Sequence, residues 1–100
     1  MKIPSNRIPP HPGELLLNEF LVPLGISQTD FADRINVSFQ RINTIIKGKR
    51  EISIDTALRF SKFFGNSPEF WLNAQRAINL YREFHSKKYL DIQKIPTYTY

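Results

Sequence analysis

One hundred residues suffice for one domain and not for two. The absence of cysteine excludes disulfides, thiolate metal sites and cysteine nucleophiles and fits a reducing cytoplasm, and no apolar run approaches the ~18 residues of a membrane span. A formal net charge of +5, with 41% hydrophobic and 13% aromatic residues, points to a cored domain with a polyanionic partner, nucleic acid before an anionic membrane surface.

Pro4, Pro9, Pro10 and Pro12 mark residues 1 to 11 as an extended arm, because each proline fixes φ and disfavours helix in the residue before it. The stretch MKIPSNRIPPHPGE lacks an apolar h-region, so no signal peptide is expected. Pro12 suits the first turn of a helix, continued by Leu15, Leu16, Glu19 and Phe20 and ending near Val22 to Leu24, where Pro23 and Gly25 close it. Ser27 caps a second helix, with Asp30 in its first turn and Phe31, Ala32 and Ile35 facing inward; Asn36 can take positive φ and stop it. Ser38 caps a third helix to about Lys47, ended by Gly48. Ser53 caps a fourth through Phe64, closed by Gly65. Ser67-Pro68-Glu69 starts a fifth, running to about Ser86. Residues 87 to 100 read as a tail. The expectation is an all-α, five-helix domain over residues 12 to 86 between a short arm and a tail.

The third helix carries the functional signal. At 100° per residue Ile42, Ile45 and Ile46 share one side, Gln40, Thr44 and Lys47 lie nearly opposite, and Arg41 and Asn43 occupy the shoulders. Arg34, Arg41, Lys47, Lys49 and Arg50 follow one another with no acidic residue between them. A solvated face ordinarily mixes in carboxylates; a surface that approaches phosphates excludes them. The short break at Asn36 to Ser38 then makes a helix-turn-helix with the third helix projecting. Gln40 offers an amide to a base edge, and Ser38, Thr44, Lys47, Lys49 and Arg50 can reach phosphates. A plain helical hairpin with an incidental basic face is the competing reading.

The segment from Gly25 to Trp71 resembles the Xre-type, phage-repressor-like helix-turn-helix family. More narrowly, residues 12 to 75 resemble the HigA antitoxins, also called virulence-associated protein I. The resemblance is carried by Pro12-Gly13-Glu14, the run Phe20 to Ser27, Ala32, Val37-Ser38 with Arg41-Ile42, Gly48-Lys49-Arg50, Ala57-Leu58-Arg59 and Trp71-Leu72-Asn73 with Gln75. It implies a dimeric protein that binds double-stranded operator DNA, represses its own operon and neutralises a HigB-type mRNA-endonuclease toxin. By position it implies Gln28 on a phosphate and Ser38, Phe39, Gln40 and Thr44 toward the major groove. Phe39 stands where a polar reader is frequent, so it either touches a thymine methyl or packs. Ala74 is smaller than the leucine expected before Gln75.

The fifth helix has apolar residues on more than one stripe, which suggests self-association. Trp71, Ala74, Ile78 and Tyr81 are assigned to that homodimer face, although Trp71 also reads as core. His11 and His85 are far apart in sequence, and His11 reads as a cap or arm residue. With no nucleophile pair, phosphate loop or ligand cluster, no enzyme activity, metal or cofactor is expected. A solitary Xre-type regulator without a toxin is the alternative function, and a protein-interaction domain that kept the helix-turn-helix shape is a third. The toxin-contacting surface is open, with the arm and the tail as candidates.

Overall fold

The computed structural model describes residues 7 to 99, so Pro4 and most of the predicted arm lie outside the described residues. Residues 7 to 11 are non-helical. His11 then begins the first helix. Its Nδ1 accepts hydrogen bonds from the Gly13 and Glu14 amides at 3.1 and 3.3 Å, so the ring serves as the N-cap. Helix α1 combines Pro12–Leu15, a π-helical middle Leu16–Leu21 and Val22–Leu24. Within it the Val22 amide bonds the Leu17 carbonyl, a five-residue step. On a regular α-helix residues five apart point ~140° apart. The widened turn lets Leu16 and Leu21 both be fully buried.

The remaining helices are α2 (Gln28–Arg34), α3 (Phe39–Ile46), α4 (Ile54–Phe64), α5 (Pro68–Phe84) and α6 (Lys87–Gln93). Four start as expected. The hydroxyls of Ser27, Ser38, Ser53 and Ser67 each accept the amide three residues on, at 3.0 to 3.2 Å. Asn36, at φ 59°, takes the left-handed turn between α2 and α3. No strand occurs among the described residues. The fold is all-α, with six helices in place of five because residues 87 to 93 of the expected tail form α6, which packs on α5. No described helix is long and apolar enough to cross a membrane.

The core gathers Leu16, Leu21, Phe31, Ala32, Ile35, Ile42, Ile45, Ile52, Ala57, Phe60 and Trp71. Trp71 lies within ring-contact distance of Phe20, Phe60, Phe64 and Phe70, and its Nε1 donates to Asn66 Oδ1 at 3.1 Å. This corrects the partner-face assignment. Trp71 and Ile78, at 0% and 3% exposure, are consumed by the chain's own core and offer no surface to a second copy. Ala74 and Tyr81 are half-buried, and the Tyr81 ring stacks on His85.

Two contacts fix α3. Gly13 brings α1 against its C-terminal end so closely that a Cβ there would overlap the Ile45 carbonyl and lie 2.6 Å from Ile46 Cα. From the other side, buried Gln75 on α5 accepts the Ile52 amide at 2.9 Å and donates to Asn79 at 3.2 Å. The loop leaving α3 is thereby tied to α5 through a polar group whose oxygen and nitrogen each have a partner.

Candidate nucleic-acid interface

α2, the turn at Asn36 and α3 form the predicted helix-turn-helix, and α2 packs directly on α3. Ile42 and Ile45 are buried and Ile46 is half-buried, so the apolar side faces in. On the outer side Ser38, Phe39, Gln40 and Lys47 are exposed, and Asn43 and Thr44 are half-buried. Phe39 keeps 47% of its surface open, so its own chain covers only part of the ring. Its ring is available to an apolar group such as a thymine methyl.

Gln28 and Asn43 meet across the two helices. The Asn43 amide donates to Gln28 Oε1 at 3.1 Å, leaving the Gln28 NH2 free to donate outward. The Ser38 oxygen accepts the Arg41 amide at 3.1 Å, so its own O–H remains a donor. Thr44 differs from the expectation. Its hydroxyl donates back to the Gln40 carbonyl at 2.7 Å, a helix self-bond, so it presents a methyl and oxygen lone pairs rather than a free O–H.

Beyond α3 the chain turns at Gly48, φ 74°, with the Lys49 amide on the Thr44 carbonyl at 2.9 Å. His11 lies under this turn: a Cβ on Gly48 would sit 3.2 Å from its Nε2. Lys47, Lys49 and Arg50 are all exposed, and none joins an ion pair among the described residues. The turn therefore holds three uncompensated cations at one end of the outer face.

Arg41 is not so free. Sequence shows no carboxylate within the basic run, but α4 supplies one from outside it. Asp55 Oδ2 accepts from Arg41 Nη1 at 3.2 Å and from Arg59 Nε at 2.9 Å. The hydrogen bond from Arg59, reinforced by charge attraction to Arg59 and by Arg41, holds the Asp55 carboxyl below the usual carboxylate range. The carboxylate is thus ionised at neutral pH, and the contact is lost only as pH falls through that lowered value. Arg59 also donates to the Ile35 and Asn36 carbonyls at 2.8 and 3.4 Å, clasping the turn itself. Asp55 and Arg59 were missed in the sequence reading; their i,i+4 spacing on a helix was the visible signal.

The face has the chemistry of duplex binding: one amide and one ring at its centre, hydroxyl and amide donors on its flanks, cations at its exit. No group of three or more His, Cys, Asp or Glu side chains able to hold a metal occurs among the described residues.

Comparison with known proteins agrees with this geometry. A helix-turn-helix family model matches residues 17–71. A virulence-associated protein I from Dichelobacter nodosus is 41% identical over 95 residues, covering 92% of this chain and 88% of that protein. Among solved structures, the Pseudomonas aeruginosa antitoxin HigA with the higBA promoter aligns at a TM-score of 0.84 and 33% identity, over 91% of this chain and 99% of that one. The antitoxin GraA in complex with its operator aligns at 0.86 and 30% identity, over 99% and 100%.

Proposed function

Because the chain belongs to the helix-turn-helix family, in the branch that holds virulence-associated protein I and the HigA antitoxins, we propose that it is a cytoplasmic operator-binding antitoxin that represses its own operon and neutralises a toxin encoded beside it. The observation that carries the DNA part is the outer face of α3 and the turn after it, where Phe39 and Gln40 are exposed and Lys47, Lys49 and Arg50 have no acidic partner among the described residues. Residues 12 to 86 form the DNA-binding domain in this reading. The toxin part is supported by the relatives named as antitoxins, with the 1–11 arm and the 87–100 tail as candidate contact segments.

The test of DNA binding is a titration of the duplex upstream of the protein's own gene at several salt concentrations. Saturable binding with log K falling linearly in log salt is expected; no saturable binding at physiological salt overturns the reading. Gln40→Ala should cost ~1–3 kcal/mol at one base position, read as a changed preference in a randomised site library. An unchanged preference clears Gln40 of base reading. Purification from native cells should bring the neighbouring gene's product along. A chain that binds DNA and purifies alone is the solitary regulator instead.

Operator binding by two copies requires a dimer, and α5 supports one with a corrected face. Leu72, Arg76, Asn79, Leu80 and Glu83 line an open apolar groove together with Ile54, which is 68% exposed. Arg76 and Glu83 lie seven residues apart on this side, so antiparallel packing of two α5 helices about a two-fold axis near Leu80 would set Arg76 of one copy against Glu83 of the other. Leu80→Glu should convert a sedimenting dimer into a single chain; if wild type already sediments as a single chain at every concentration, this face is not a dimer interface.

A further inference from the structure

We propose that Asp55 sets the discrimination between operator and bulk DNA by orienting Arg41, with Arg59 holding Asp55 in place; this rests on the DNA-binding reading above. The geometry is a chain of contacts running from the turn to the recognition helix. The Ile35 and Asn36 carbonyls accept from Arg59 Nη1, Arg59 Nε donates to Asp55 Oδ2, and the same oxygen takes Arg41 Nη1. Every link is polar and directional, and its far end is backbone. Arg41 is the one cation on α3 whose direction the fold fixes; Lys47, just past its end, has no such tether.

Tethering does not consume Arg41. The contact with Asp55 uses one of the five N–H donors of the guanidinium, and the Arg41 side chain stays 33% exposed. The remaining donors keep the planar fork that suits a guanine edge or a phosphate. What the contact removes is the freedom to reach for whichever phosphate is nearest.

Fold stability does not account for the arrangement. Asp55 is 58% exposed at its side chain, and exposed ion pairs add little to folding. For association with DNA a carboxylate here has two consequences. It subtracts one charge from a surface that meets phosphates, which weakens binding to any sequence. It also holds Arg41 pre-aimed, which lowers the ordering cost of the one correct complex. The first lowers both affinities alike; the second widens the ratio of specific to non-specific affinity.

The experiment uses the full chain and two probes: a duplex selected by the wild-type protein from a randomised library, and the unselected pool of the same length. Asp55→Asn should tighten pool binding roughly three- to tenfold and steepen its salt dependence by about one counterion. The selected duplex should gain less or lose affinity, so the ratio falls. With Arg41→Ala already present, Asp55→Asn should leave the ratio where it is, because the group it orients is gone. A merely structural role would weaken both probes together and leave the ratio unmoved. An unchanged ratio in Asp55→Asn, or an equal fall with and without Arg41, overturns the proposal. Wild-type protein that binds neither probe saturably would remove the DNA-binding reading itself, and this inference with it.

Discussion

Gly13→Ala is expected to destabilise the domain by about 3 kcal/mol or more, although alanine is the better helix former and Gly13 lies in a helix. The reason is space. The added methyl would overlap the Ile45 carbonyl and crowd Ile46 Cα, and both are backbone atoms of α3 that cannot rotate away. Helix α1 must then back off, uncovering Leu16 and the isoleucines beneath it. For a chain of this size such a loss lowers the midpoint of thermal unfolding by roughly 10–20 °C, read by circular dichroism. Gly25→Ala is the control. Its Cβ would meet nothing within 4 Å, so only the positive φ of 67° opposes it, at a cost of about 1 kcal/mol. A Gly13→Ala midpoint no lower than that of Gly25→Ala would show that α1 does not approach α3 as described.

The largest functional loss is expected from removing Lys47, Lys49 and Arg50 together. All three are exposed and free of acidic partners among the described residues, so replacing them with alanine should change folding stability by well under 1 kcal/mol. Each cation that meets a phosphate releases about 0.9 of a counterion, so the slope of log K against log salt should flatten by roughly three. Affinity at moderate salt should fall on the order of 100-fold. The loss should be similar for matched and random sequences, because phosphate contacts position rather than specify. Arg41→Ala should behave differently, losing sequence preference more than slope, since its charge is partly met by Asp55. A triple variant with an unaltered slope would mean that this turn does not face the duplex.

The helix starts were legible because capping is local. A serine hydroxyl and the amide three residues on lie within one turn, so Ser27, Ser38, Ser53 and Ser67 announce themselves without tertiary information. The stop at Asn36 is equally local. The outer face of α3 follows from the same reasoning, as its isoleucines are spaced to one side. What could not be read spans greater distances. Asp55 lies fourteen residues from Arg41, and only the folded chain, which brings the start of α4 to Arg41, supplies a carboxylate to a run that has none. The fifth helix misled for a related reason. Periodicity shows that α5 has two apolar sides, but not which one the domain consumes; Trp71 and Ile78 went inward, leaving Leu72 and Leu80 beside Ile54. Helix α6 was missed because Lys87 and Lys88 open it without an acidic first turn, and Ser86 caps it with no side-chain bond.

The five-residue step in α1 has a further meaning for how the chain keeps its measurements. One end of that helix is pinned by Gly13 against α3, and the other by the left-handed exit at Gly25 into α2. Those anchors are the two halves of the motif that projects the recognition helix. A regular helix of the same residue count would be longer and rotated, satisfying one anchor at the expense of the other. The loosened coil takes up the surplus residue in the middle, much as an expansion joint takes up slack between fixed piers, and the spacing of the two ends is preserved.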